Sequence, residues 1–221
     1  IGMNLPEEPQ RIDVAIRILF LITLLAVAPS LVMLMTCFTR IIIVFSFLRN
    51  ALSLQGVPAN QILVGFALFM TFFIMSPVFN TAYNEGIAPL VNQEITEVQA
   101  FERTVEPFRK FMLANVREKD LELFIRISGD EGEFETVEDI PIQIIIPSFM
   151  ITELRRAFEI GFMLFLPFLV IDLVTAAILM SMGMMMLPPV LIALPFKIIF
   201  FVLVDGWYLV VGSLMESFRQ I

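Results

Sequence analysis

Ser181-Met182-Gly183-Met184-Met185-Met186-Leu187-Pro188-Pro189 joins two long apolar runs without a single charge. Such a composition suits no catalytic purpose. Methionine is unbranched, turns about three bonds and carries a polarisable sulfur, so four of them in five residues make a soft apolar surface that reshapes to what it meets. The stretch reads as the tip of a helical hairpin, and the rest of the chain as the means of placing it.

The arms carry the evidence for a hairpin. The first runs from Ile160 to Met182, with Pro167 as an expected kink, and the second from about Leu187 to Leu214. Asp172 stands mid-way along the first; Lys197 and Asp205 stand in the second. A charge at such depth in a membrane costs on the order of 2.5–3.5 kcal/mol, so it pairs or faces a cavity. Residues equidistant from a hairpin tip face each other, and the midpoint of Asp172 and Lys197 falls between Met184 and Met185. The spacing therefore predicts an Asp172–Lys197 pair. Asp205 lies about 12 Å from Lys197 along one helix, too far to touch it, and needs Trp207, Tyr208 or another subunit. The three charges either fix the register of the hairpin or line a conduit and carry a proton.

Outward from the hairpin, the chain reads as all-α, with four long apolar helices in two membrane-type hairpins and an acidic helical insert between the second helix and the third. Three units follow: a polar lead-in and first apolar hairpin over 1–84, the helical insert over 85–146, and the methionine-tipped hairpin over 147–221. Ile18 to Phe38 has no charge and is long enough for one crossing of a ~30 Å hydrocarbon layer; Pro29 inside it reads as a kink tolerated by neighbours. The helix continues past Arg40 and Arg49 and is expected to end near Gly56-Val57-Pro58. The two arginines snorkel at a membrane edge, or meet a partner protein or lipid headgroup. They put this loop on the cytoplasmic side by the positive-inside rule. Gln61 to Asn84 is uncharged and returns the chain across, with Pro77 near its end. The chain starts at Ile1, as after trimming or removal of a signal peptide.

In the insert, Val98 and Phe101, then Phe108, Phe111, Met112 and Val116, recur at helical spacing, and Pro107 suits a first helical turn. Leu121, Phe124 and Ile125 repeat the pattern. Asp130, Glu131, Glu133 and Glu135 lack the alternating ligands of a calcium loop and read as a solvated loop. Ile142–Ile146, between Pro141 and Pro147, reads as extended, with a helix starting at Pro147-Ser148. Glu153–Arg156 and Arg155–Glu159 are expected to pair on a surface face.

Composition narrows the function. The chain is 58% apolar and only 16% charged, with a mean hydropathy of +0.89, far from a soluble domain. Residues 83–159 hold 16 of the 22 acidic and 8 of the 14 basic side chains, so the whole net charge of −8 lies in the insert. No basic stripe exists for nucleic acid. With no histidine and one cysteine, Cys37, zinc sites and Ser-His or Cys-His nucleophiles are excluded. No cofactor is expected, and Cys37 reads as a small buried residue.

Several phrases together resemble the FliP family of flagellar export-gate proteins, relatives of the SctR proteins of virulence type III secretion. They are Thr39-Arg-Ile-Ile-Ile-Val44, Phe72-Phe-Ile-Met-Ser-Pro77-Val-Phe79, Leu166-Pro-Phe-Leu-Val-Ile-Asp172, the methionine stretch, Leu194-Pro-Phe-Lys197 and Leu203-Val-Asp-Gly-Trp-Tyr-Leu-Val-Val-Gly-Ser213. The last block favours the flagellar branch over the injectisome homologue. The resemblance implies about five copies of the chain assembled with FliQ and FliR, beside FlhB, FlhA and rod components, around a channel for unfolded protein substrates at the bacterial inner membrane. It implies that Met184, Met185 and Met186 form a gasket, that Gly183 lets the loop turn and Pro188-Pro189 stiffen its exit, and that Asp172 and Lys197 are the family's charged pair. It also implies that the four apolar helices bury against sister subunits rather than lipid. Two other classes stay open on the residues alone. A proton- or ion-coupled transporter would use Asp172, Lys197 and Asp205 as a relay. A membrane enzyme would lack any nucleophile–base pair.

Overall fold

A computed structural model describes residues 33–218 except 130–133, 135 and 185, together with 18, 19, 22, 23, 26 and 30. Most of the first apolar run, with Pro29, lies outside the described residues, as do the acidic candidates Asp130, Glu131, Glu133 and Glu135. Among the described residues every regular element is helical. They are α1 (Phe38–Ala51), α2 (Asn60–Ile74), α3 (Ser76–Ala82), α4 (Ala88–Val91), α5 (Glu97–Asn115), α6 (Glu118–Ser128), α7 (Ile142–Ser181), α8 (Pro189–Leu203) and α9 (Gly206–Glu216). A π turn over Tyr83–Ile87 links α3 to α4, and a 3-10 turn covers Val137–Asp139. The all-α class stands.

The core forms around α1. Ile41, Val44, Phe45, Leu48 and Ala51 recur at helical spacing and are buried along with Cys37. Each large side chain so buried contributes about 1.5–3 kcal/mol. One side of α1 packs along α7, another along α2. The approach to α7 is close at Gly161, where an added Cβ would sit 2.6 Å from the Phe47 ring. Phe45 stacks on Phe66 of α2 at 5.2 Å and meets Trp207 of α9 edge-on at 6.3 Å. The insert attaches by the same logic. Leu121 of α6 and Phe111 of α5 turn inward, and Phe111 packs edge-on against Phe149 of α7 at 5.8 Å. Thr96 and Gln99 start α5 as a capping box: Gln99 N–H donates to Thr96 Oγ1 at 3.4 Å and Thr96 N–H to Gln99 Oε1 at 3.2 Å.

Several expectations change. The segment Ile142–Ile146 is helical, not extended: Pro141 caps α7, and Pro147 lies inside the helix, where its missing N–H leaves one helical hydrogen bond unmade. The unit boundary placed at 146/147 therefore falls inside a helix. That helix has 40 residues, about 60 Å at 1.5 Å per residue, twice a hydrocarbon core; Pro167 does not interrupt it. α1 ends at Ala51, before Gly56. Pro107 lies inside α5 rather than at a start. The second and fourth apolar runs are not straight spans. α2 and the following α3–α4 segment meet at 63° across Met75, and α8 meets α9 at 62° across Val204-Asp205. Among the described residues, α7 alone is a single helix long and apolar enough to cross a membrane, and each bent pair passes that test jointly. Of the four long apolar runs, the three that lie within the described residues form one long helix and two bent pairs.

Much apolar surface faces outward, including Phe69, Phe72, Phe73, Met163, Val202 and Leu203, each more than 60% exposed. Contiguous surface of this kind is covered by lipid or protein in any stable state.

Candidate functional site

The tip between α7 and α8 is built by local rules. Helix α7 ends with Gly183 in the left-handed region, φ +76°. Gly183 N–H donates to Met180 O at 3.1 Å and Met184 N–H to Leu179 O at 2.9 Å, the paired bonds of a Schellman stop, which glycine alone accepts without steric cost. Pro188 precedes α8 and Pro189 is its first residue, where a proline loses no helical hydrogen bond. Between these fixed ends the methionines point out: Met182 is 62% exposed and Met186 98%. Met184 is partly exposed, and Met185 lies outside the described residues.

Below the tip the structure brings Asp172 and Lys197 together. Lys197 Nζ donates to Asp172 Oδ2 at 2.6 Å, with the lysine fully buried. Two further acceptors come from a place the hairpin arithmetic does not reach. Nζ also donates to Ala51 O at 3.0 Å and to Ser53 Oγ at 2.8 Å. All three ammonium donors are used. Ala51 closes α1, so a cation there also faces the negative end of that helix. Asp172 is less well served, since its Oδ1 is buried without a partner.

A second buried junction, invisible in the hairpin reading, ties the other end of α1. Arg40 is fully buried, as is Glu153. Arg40 Nε donates to Glu153 Oε2 at 2.8 Å and Nη2 donates to Oε1. Nη1 donates to Ser217 Oγ at 2.9 Å, and the guanidinium lies 3.7 Å from the Phe218 ring centre. This corrects two expectations. Arg40 does not snorkel, because its planar fork finds a bidentate carboxylate inside. Glu153 does not pair with Arg156 on the surface. The Arg155–Glu159 pair does form, at 2.8 Å on an exposed face. Arg49 stays partly exposed at the end of α1 and donates to Asn60 Oδ1 at the start of α2. The clue to Arg40 was its place on the same face as Ile41, Val44 and Leu48.

Asp205 joins neither junction. It is exposed, sits in the left-handed region at φ +51°, ψ +53°, and opens α9. Its visible work is conformational: aspartate and asparagine tolerate this region, while other non-glycine residues pay about 1–2 kcal/mol. Asp205→Asn and Asp205→Gly are therefore expected to preserve motility in a complementation assay, and Asp205→Val to impair it. A non-motile Asp205→Asn strain with normal assembly would show that the carboxylate itself is needed. No group of His, Cys, Asp or Glu able to hold a metal occurs among the described residues.

The fold and site define an all-helical, largely apolar protein whose distinguishing feature is a methionine-rich hairpin tip over buried charge junctions. The model of the FliP family matches residues 21–214. Similar proteins include the flagellar biosynthetic protein FliP of Bacillus subtilis, 51% identical over 212 residues and covering 96% of both chains. That of Rhizobium meliloti is 51% identical over 217 residues, 98% of this chain and 89% of its own. That of Caulobacter vibrioides is 49% identical over 220 residues, the whole of this chain and 82% of its own. The chain belongs to the FliP family. Membership makes it a structural component of flagellar export, not an enzyme.

Proposed function

We propose that the chain is a pore-forming core subunit of the flagellar protein export gate, in the bacterial inner membrane, with the 85–146 insert on the periplasmic side. Several copies, joined by FliQ and FliR and flanked by FlhB, FlhA and rod components, present their α7–α8 tips to a shared channel for unfolded substrates. Met184, Met185 and Met186 act as the gasket. The observation that carries this reading is the tip itself: a glycine stop and a diproline restart hold the outward-facing Met184 and Met186 between them. A gate must seal against ions yet pass many different polypeptides. Thioethers pack against one another when the channel is empty and repack around a passing chain, with no fixed hydrogen bonds to break. The outward apolar faces of α2, α7 and α8 supply surface for neighbouring subunits and lipid.

Replacing Met184, Met185 and Met186 together by alanine is expected to raise ion leakage through the assembled complex in planar bilayers, while the complex still assembles. Conductance equal to that of the unaltered complex would sink the gasket.

A further inference from the structure

The charged pair beneath the tip is unequal. Lys197 has all three donors satisfied, two of them by the turn after α1. Asp172 has a single partner, an unmet buried oxygen and a side chain 23% exposed. Ser53 holds a backbone conformation, φ +56°, that serine rarely adopts, and that conformation places its hydroxyl on the ammonium. Direct packing between α1 and α8 is slight, whereas α7 packs along both. The lysine is thus the principal tie between the α1–α2 turn and α8.

We infer that Ser53 is a positioning residue. Through Lys197, the Ser53 hydroxyl and the Ala51 carbonyl fasten α8 to the α1–α2 turn, while Asp172 is the one link from α7 to this ammonium and sits above the stretch where α7 is held to α1 by Arg40–Glu153 and Gly161. If Asp172 Oδ2 lets go, the ammonium keeps two of its three partners and α8 stays in place. Asp172 is 23% exposed whereas Lys197 is fully buried, so the carboxylate is the member that water can reach on release. Movement of α7 against α8 changes the height of Met182 and Met184 relative to Pro188, and hence the shape of the tip. This last step rests on the gate reading; the fastening of α8 does not.

The experiment uses the whole purified complex with spin labels at Gln55→Cys paired with either Leu191→Cys on α8 or Met180→Cys on α7. All three positions are exposed, and the native Cys37 is buried and silent. Asp172→Asn is expected to broaden the 55–180 distance distribution and leave 55–191 sharp. Ser53→Ala is expected to broaden 55–191. Ser53→Gly removes the hydroxyl while easing the backbone, so it tests the same tie without destabilising the turn. Equal broadening of both distances by Asp172→Asn, or a sharp 55–191 distance in both Ser53 variants, overturns the inference. Bilayer conductance then separates the two readings. Leakage in the methionine variant with none in Ser53→Ala leaves the gate and removes the link from Ser53 to the tip. Broadened distances with no leakage in the methionine variant keep the fastening and remove the gate.

Discussion

Replacing Glu153 by alanine is expected to abolish recovery of the assembled complex, and replacing Arg40 to do nearly the same. The two side chains are fully buried and meet as fork to carboxylate. The remaining guanidinium nitrogen is taken by Ser217, and its face by Phe218. This one arginine joins α1, α7 and the end of α9. A buried pair of this kind adds little net stability over well-packed apolar residues, yet breaking it by removing one partner costs about 3–5 kcal/mol, because the other charge is left buried alone. Against a typical stability of ~5–15 kcal/mol, such a loss removes a large share of the margin of a membrane subunit that must also find its partners. Glu153→Gln keeps the shape and one acceptor but not the charge, so it falls between. The decisive variant replaces both residues by methionine, and its loss should be well below the sum of the single losses. Thermal midpoints and assembly yields in detergent provide the measurement. A Glu153→Ala complex recovered at the unaltered yield, or a double variant as damaged as both singles together, would refute the junction as drawn.

What could be read from the chain divides by distance along it. The tip was legible because it is local: glycine, paired prolines and methionines occupy nine consecutive positions. The Asp172–Lys197 contact was legible because a hairpin turns sequence separation into height, and two charges at equal height in apolar arms have little choice. Ala51 and Ser53 were not legible, since they lie 146 and 144 residues from Lys197 and no periodicity connects them. Glu153 was hidden by Arg155 and Arg156, which offered it a plausible local partner. The two bends escaped notice for a different reason. Hydropathy averages over a window and does not register where a helix changes direction. At Asp205 the clue was chemical, an aspartate before a glycine in an otherwise apolar run, both residues suited to a break. The extended reading of Ile142–Ile146 failed because β-branched residues between prolines favour strand locally, while burial of Ile144 and Ile145 against the α1–α7 core decided for helix.

Replacing Lys197 by alanine is the second large effect expected. The ammonium meets a carboxylate, a hydroxyl and the last carbonyl of α1 in three directions. Its loss leaves Asp172 with neither oxygen paired, and leaves Ser53 in a left-handed backbone with no ammonium to orient its hydroxyl. The uncompensated carboxylate again costs about 3–5 kcal/mol, here beside the tip instead of at the far end of α1. Motility should be lost. Lys197→Arg should not restore it, because a planar guanidinium with its donors in a fixed fork cannot reproduce three donors spread about one compact nitrogen. Asp172→Ala combined with Lys197→Ala should be milder than the two single losses added, since the orphaned carboxylate disappears with its partner. It should still fall short of the unaltered chain, because the tie from α8 to Ala51 and Ser53 does not return. That residual deficit separates a three-way junction from a simple pair. Recovery of full motility in the double variant would mean that Asp172 and Lys197 answer only to each other, and strictly additive losses would mean that they are not coupled at all.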